Sequence, residues 1–200
     1  MDPLCGWCFG FSPVILKIRD VYKGILDVQV TPGGMVTGAR VGPVSVMTDY
    51  VLNAYKRVEE YSGVKFGEPY LGMLRKGTEI QDSEPPCRAI YTFRQAHPEQ
   101  ALDFAHELQL KQFHEGKSFN DAGTYKELAR QFSIEPEEFV EIMETEESKY
   151  GTLQDFQWVQ AAGITGFPCL VLQKGEEYFL VSRGFQPYEG AQEVLERALK

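Results

Sequence analysis

The chain has 200 residues, 43% of them hydrophobic, and a formal net charge of −9 at pH 7. This length suits one domain, or one domain with a large insertion, and can bury an ample core without disulfides. The acidity argues against nucleic acid or an anionic membrane surface as a partner, because no basic patch is available to neutralise phosphates. With no long apolar run and no signal-peptide pattern, we expect a soluble, cytoplasmic protein.

Two cysteines near the start of the chain, Cys5 and Cys8, are separated by two residues. A helical apolar pattern follows them directly, which predicts Cys5 at a helix N-terminus and Cys8 one turn further, with both thiols on one face. The positive end of the helix dipole lowers a thiol pKa there from about 8.5 to roughly 3.5–7.5. The motif therefore predicts a redox dithiol in which Cys5 is the exposed, attacking sulfur and Cys8 resolves the intermediate.

The same spacing also supplies half of a zinc site, which needs a second pair of ligands. The remaining cysteines, Cys87 and Cys169, are isolated, and the histidines are spaced by nine and eight residues, at His97, His106 and His114. A metal site and an inert structural pair are thus the weaker alternatives to a dithiol. We interpret Cys87 and Cys169 as apolar packing residues rather than redox residues, and the histidines as surface or packing residues.

In chain order, the motif helix is predicted to end near Gly24, with Pro13 inside it, and a short strand is predicted over Ile25 to Val30. Residues 43–163 keep a helical period, except for 62–81, which we interpret as irregular. The chain then predicts a hairpin with strands at 169–173 and 178–182, followed by a closing amphipathic helix. This order indicates an α/β fold with a small sheet covered by helices.

A proline directly precedes the hairpin, in the segment Gly163-Ile164-Thr165-Gly166-Phe167-Pro168-Cys169. Proline cannot donate to a sheet ladder, and this position is a suitable place for a cis peptide bond. The residues alone leave both isomers open.

Three features together resemble the thioredoxin-fold enzymes: Cys5-Gly6-Trp7-Cys8 opening a helix, Pro13 in that helix, and Thr165-Gly166-Phe167-Pro168 before a terminal hairpin and helix. The long helical block is similar to that of the DsbA family. Within that family the chain most resembles the leaderless, FrnE-like branch of predicted protein-disulfide isomerases, including its Gly33-Gly34 and Cys87-Arg88-Ala89. The resemblance implies a discontinuous thioredoxin-like domain (1–40 and 163–200) with an inserted helical domain (41–162).

The resemblance also implies a cis Phe167–Pro168 bond, in a loop that lies against the dithiol and offers backbone groups to a substrate peptide. Phe167 and Pro168 are therefore candidate substrate-binding residues, and Trp7 is either a third such residue or a cover for the helix start. Members of the family carry a central strand just before the motif. Only Met1 to Leu4 precede Cys5 here, too few to supply that strand. We expect that the start was assigned at an internal methionine or trimmed; the alternative is that another segment fills the slot, and if the chain begins at Met1 the sheet has a gap.

The function implied is that of a thiol-disulfide oxidoreductase, or disulfide isomerase, acting on protein or small-molecule disulfides and thiols. No cofactor is expected beyond the redox-active disulfide, with glutathione or a thioredoxin-type protein as reductant. A kappa-type glutathione-dependent transferase or isomerase is an alternative, although such enzymes usually have serine where Cys5 stands. A second alternative is a non-catalytic peptide-binding module. The oligomeric state is left open, a dimer being one option.

Overall fold

Nine α-helices and four short strands make up the fold, in a computed structural model that describes all 200 residues. The helices are α1 (Gly6–Val21), α2 (Thr48–Ser62), α3 (Glu68–Lys76), α4 (Glu84–Ala96), α5 (Ala101–Phe113), α6 (Ala122–Gln131), α7 (Pro136–Met143), α8 (Glu146–Ala161) and α9 (Tyr188–Leu199). The strands are β1 (Gly42–Pro43), β2 (Ile80–Gln81), β3 (Cys169–Lys174) and β4 (Glu177–Arg183). The strands form two antiparallel pairs, β1 with β2 and β3 with β4. This is the α/β arrangement that the sequence predicts, with a long helical block before a terminal hairpin and helix.

The helical block between β1 and β3 is built around α4, which packs against α5, α7 and α8. Its largest buried side chains form one apolar cluster that includes Phe93, Phe104, Leu108 and Leu128. The prediction of an irregular segment over residues 62–81 is wrong, because α3 and β2 lie within it. Proline in the first turn of α3 and a left-handed glycine at its end, Gly77, delimit a helix too short for its period to be recognised.

The terminal hairpin and closing helix are confirmed. Strands β3 and β4 pair with Leu172 opposite Phe179, and the turn between them contains Gly175 with φ +64°. Leu172 and Val181 point to the same side, where they pack with Ile18 of α1 and Leu195 of α9. Helix α1 is thus held between this hairpin layer and the helical block.

The predicted strand at Ile25 to Val30 is not formed as a strand. Its side chains alternate as expected, with Val28 and Val30 packed on the helical core and Asp27 and Gln29 exposed. However, none of the backbone N–H groups of residues 27–31 donates a hydrogen bond within the chain. The prediction fails because a strand needs a hydrogen-bonded neighbour, which a local pattern cannot supply.

An open groove separates this extended segment from β3. Gln29 and Thr31 line one side, and Leu170 and Val171 of β3 line the other. No strand of the 200 residues lies between them, so the sheet has the gap expected when no other segment fills the slot. Met1 also lines the groove, and its amino group donates to the carbonyl oxygen of Thr31 at 2.8 Å.

Candidate active site

The two cysteines of the motif meet at the start of α1. Cys5 is the N-cap residue, with an extended backbone (φ −88°, ψ 109°), and its sulfur accepts a hydrogen bond from the backbone N–H of Cys8 at 3.3 Å. The Cys8 sulfur accepts the backbone N–H of Asp2 at 3.5 Å. A sulfur in the N-cap position therefore takes the place of the oxygen that usually satisfies a free helix N–H group.

These surroundings move the two thiol pKa values in opposite directions. A hydrogen bond from the Cys8 thiol lowers the pKa of Cys5, the Cys8 backbone N–H acts in the same direction, and burial opposes both. Burial raises the pKa of Cys8 well above its ordinary value, and donation to Cys5 adds to that increase. Cys5 therefore has the lower pKa of the two thiols and ionises first, and the Cys8 thiol donates to it.

The prediction that Cys5 is exposed is wrong. Its exposed fraction is 7%, although this still exceeds the 3% of Cys8. The covering group is the loop before β3, where the carbonyl oxygen of Phe167 lies 3.6 Å from the Cys5 sulfur. Cys5 is thus the more accessible of two largely buried thiols.

The loop before β3 contains a cis peptide bond between Phe167 and Pro168, which confirms the isomer that the resemblance implies. After the bond, the Pro168 carbonyl oxygen accepts the N–H of Gly184, so the loop is attached to the end of β4. Thr165, Gly166 and Phe167 donate no backbone hydrogen bond within the chain. This loop therefore has unpaired backbone N–H groups next to the carbonyl oxygen that lies against the Cys5 sulfur.

A glycine positions the ring of Phe167. A Cβ atom on Gly33 would lie 2.0 Å from Cζ and 2.3 Å from Cε1 of this ring, well inside contact distance. Gly33 does not have a positive φ, so the requirement for glycine comes from the close approach of Phe167 and not from the backbone conformation. The sequence shows Gly33 only as part of the Gly33-Gly34 pair of the resemblance, and the contact was missed because the ring of Phe167 is far away in the chain.

Gly33→Ala is therefore expected to displace the Phe167 ring and to lower the free energy of unfolding by about 1–3 kcal/mol, as overpacking of a tight contact does. Because the Phe167 carbonyl oxygen lies beside Cys5, the rate of disulfide exchange should fall as well. Urea unfolding and exchange kinetics measure the two effects.

Gly166→Ala is the matched control, because nothing lies within 4 Å of a Cβ atom at that position. It should change stability by less than about 0.5 kcal/mol. In a double-mutant cycle, Phe167→Ala should remove most of the cost of Gly33→Ala, because the clashing ring is gone. Strictly additive effects would show that the ring does not rest on Gly33.

A buried carboxylate behind the dithiol was not identified from the sequence. Asp2 has no exposed surface, and it accepts hydrogen bonds from the backbone N–H groups of Leu4 at 2.9 Å and Met35 at 2.6 Å and from the Ser83 hydroxyl at 3.0 Å. Burial raises its pKa. Asp2 thereby joins the motif, the loop after the extended segment and the start of α4.

The other cysteines occupy different environments. Cys87 lies in the first turn of α4, has no exposed surface, and places its sulfur 3.9 Å from Oδ2 of Asp2. Burial raises the pKa of Cys87 well above its ordinary value and raises that of Cys169 as well. Cys169, the first residue of β3, is half-buried and lines the same groove as Cys8. Neither thiol is activated.

Aromatic side chains surround the helix start. The Trp7 ring lies 5.8 Å from that of Phe185 and 6.3 Å from that of Tyr61, measured between centroids. His106 packs parallel to the Phe9 ring and shares a 2.8 Å hydrogen bond with Ser12, which is the packing role expected for a histidine. Trp7 is thus supported by its neighbours while part of its side chain stays accessible to a ligand.

No group of three or more His, Cys, Asp or Glu side chains is arranged to hold a metal ion. None of the helices combines the length and apolar character needed to cross a membrane.

Comparison with known proteins agrees with this geometry. The family described as the DSBA-like thioredoxin domain matches residues 1–196. Among solved structures, the "putative protein disulfide isomerase" from Nitrosomonas europaea is 29% identical, with a TM-score of 0.87 over 99% of this chain and 94% of that one. The cytosolic disulfide reductase DsbM from Pseudomonas aeruginosa is 25% identical, with a TM-score of 0.82 over 98% and 95%. A structure of DsbM with GSH has a TM-score of 0.79 at 24% identity, over 98% and 96% of the two chains.

A comparison with curated proteins gave no significant match. The fold, together with these relatives, defines a thioredoxin-fold thiol-disulfide oxidoreductase. Within that class, the chain belongs to the family of DSBA-like thioredoxin domains.

Proposed function

We propose that the protein exchanges disulfides through Cys5 and Cys8, with Cys5 as the attacking thiolate and Cys8 as the resolving thiol. The observation that carries this proposal is the N-cap position of the Cys5 sulfur, which accepts the N–H of Cys8 at 3.3 Å beside the carbonyl oxygen of Phe167. The opposite pKa shifts of the two thiols support the same assignment.

The reaction has two steps. The Cys5 thiolate attacks one sulfur of a substrate disulfide, which forms a mixed disulfide and releases the other sulfur as a thiolate. Cys8 then loses its proton to solvent or to the departing thiolate and attacks Cys5, which releases the second substrate thiol. The substrate has gained two electrons, and the protein has lost them in forming the Cys5–Cys8 disulfide. The reverse sequence oxidises a dithiol substrate.

The groups that receive the substrate lie around Cys5. The free backbone groups of Phe167 and its neighbours can pair with an extended peptide or with the peptide-like backbone of a small thiol, and Pro168 fixes the end of that loop at β4. Trp7 offers an apolar surface on the other side of the motif. We therefore assign substrate contacts to Trp7, Phe167 and Pro168.

Glutathione is the small thiol that we propose as reductant or as disulfide substrate, without any other cofactor. The similarity to a cytosolic reductase, one structure of which includes GSH, supports this choice and a cytoplasmic location. Protein disulfides are the second substrate class, consistent with the similarity to the isomerase-like protein.

The test is the turnover of a small neutral disulfide, 2-hydroxyethyl disulfide, with glutathione as the source of electrons. The wild-type protein should accelerate the reaction and should pass through a Cys5–Cys8 disulfide, detected by alkylation and mass spectrometry. If catalysis persists while both cysteines are blocked by alkylation, the assignment to these residues is wrong.

The pH dependence of alkylation tests the thiolate assignment. Because the pKa of Cys5 is lowered, its reaction with iodoacetamide should reach half of its maximal rate below the ordinary pH of about 8.5 and should slow only as the pH falls through the lowered value. Cys8→Ala removes the thiol whose hydrogen bond contributes most to the lowered pKa of Cys5. The pH at which alkylation reaches half of its maximal rate should therefore increase. An identical curve in wild type and variant would show that Cys8 does not stabilise the thiolate.

A further inference from the structure

A second groove begins at the loop that covers Cys5. It is lined by Phe167 and the residues before it, by the loop from Gly33 to Arg40, and by side chains of α8. The groove has a volume of about 510 Å³, within the range of small-molecule sites. Phe167 connects this groove to Cys5, because its carbonyl oxygen lies 3.6 Å from the Cys5 sulfur, and it also lines the groove along the gap in the sheet.

The charge of this groove differs from that of the whole chain. Its lining contains no aspartate or glutamate and one charged residue, Arg40, although the chain carries a net charge of −9. The other polar side chains in the lining are neutral and include Thr165 and Gln160. A negatively charged ligand thus meets a local cation here that it does not meet over most of the surface.

Arg40 is held in place without being neutralised. Its Nη2 donates to the Gly34 carbonyl oxygen at 3.3 Å and reaches Thr37 Oγ1 at 3.5 Å, and both partners are uncharged. The remaining guanidinium N–H groups make no hydrogen bond within the chain, so they are available to a carboxylate. An exposed guanidinium without an acidic partner, in a groove that Phe167 also lines, is suited to binding the carboxylate of an anionic thiol.

We propose that this groove binds the carboxylate-bearing part of a small anionic thiol or disulfide of the glutathione class, with Arg40 as the partner of a carboxylate. The sulfur of the ligand then faces Cys5, and its peptide-like backbone lies along the free backbone groups of residues 165–167. This inference rests on the proposed function, because it names the substrate class of the same site. Arg40 is a specificity residue and takes no part in the exchange of sulfur bonds.

The experiment compares two disulfides with the reduced protein. Glutathione disulfide is anionic and 2-hydroxyethyl disulfide is neutral, and each oxidises the Cys5–Cys8 pair and yields two equivalents of thiol. The observable is the second-order rate constant for glutathione disulfide divided by that for 2-hydroxyethyl disulfide. In Arg40→Gln we expect this ratio to fall about fivefold, the size of a partly exposed ion pair, and Arg40→Lys should restore part of the loss.

Arg130→Gln is the matched control, because it changes the net charge by the same amount at an exposed position at the end of α6. It should leave the ratio unchanged, and high salt should reduce the difference between wild type and Arg40→Gln. An unchanged ratio in Arg40→Gln, or an equal fall in Arg130→Gln, overturns the inference while the proposed function stands. If the wild-type protein reacts with neither disulfide, both fail.

Discussion

Replacement of Cys5 by serine is expected to lower the rate of disulfide exchange by about 10³-fold or more, since the loss of a nucleophile removes the first covalent step. The hydroxyl of serine can still cap α1 by accepting the N–H of Cys8, as the sulfur does at 3.3 Å. The variant should therefore stay folded, which circular dichroism and thermal unfolding can confirm. The turnover of 2-hydroxyethyl disulfide measures the activity.

Cys8→Ser separates attack from resolution. Cys5 remains a nucleophile in this variant, so the first step should proceed and the mixed disulfide should accumulate, because no second thiol is present to resolve it. Intact-mass spectrometry with glutathione disulfide should show one added glutathione on this variant and none on Cys5→Ser. The opposite pattern would exchange the roles of the two cysteines.

Asp2→Ala is expected to lower the free energy of unfolding by about 3 kcal/mol, because it leaves several buried donors without an acceptor. The Ser83 hydroxyl and the N–H groups of Met35 and Leu4 all lose their partner. For a chain of this size, the loss corresponds to a drop in the unfolding temperature of roughly 6–12 °C. Asp27→Ala is the control, because that carboxylate is exposed and bonded only to Gln29. A similar drop for both variants would show that the buried network does not stabilise the fold.

Asp2→Asn tests the charge of the same residue. The negative charge of Asp2 acts to raise the pKa of Cys5, so its removal should lower that pKa further and should increase the alkylation rate of Cys5 at acidic pH. The amide keeps an acceptor oxygen, and we therefore expect a smaller loss of stability than in Asp2→Ala. A slower alkylation of Cys5 would contradict the electrostatic effect of Asp2 and leave only a structural one.

The parts of the site that a local pattern encodes were predicted correctly. The N-cap position of Cys5 follows from a cysteine directly before an apolar helical period, and the hairpin follows from two apolar runs around Gly175. The cis bond before Pro168 required the resemblance to a known family, because the residues alone leave both isomers open. The N-cap and the hairpin depend on residues close together in the chain, and the cis bond was predicted from a motif that is specific to a known family.

The features that were missed depend on contacts between distant residues. Ser83, which binds Asp2, is 81 positions away from it. The resemblance placed the Phe167 loop against the dithiol, but the burial of Cys5 by this loop, 162 positions away, was not predicted. Likewise, the alternating segment from Ile25 to Val30 has the composition of a strand, but strand formation depends on a neighbour that the sequence pattern does not reveal. Periodicity describes the surroundings of one segment, and it does not show which segments meet.

The most direct test of the account is the equilibrium of the protein with glutathione buffers of increasing reducing strength, quenched with acid and alkylated after denaturation. Peptide mass spectrometry then reports the oxidation of each cysteine separately. We expect Cys5 and Cys8 to become reduced together in one two-electron transition, while Cys87 and Cys169 stay reduced throughout. Independent titration of Cys5 and Cys8, or a disulfide from either of them to Cys87 or Cys169, would contradict the account.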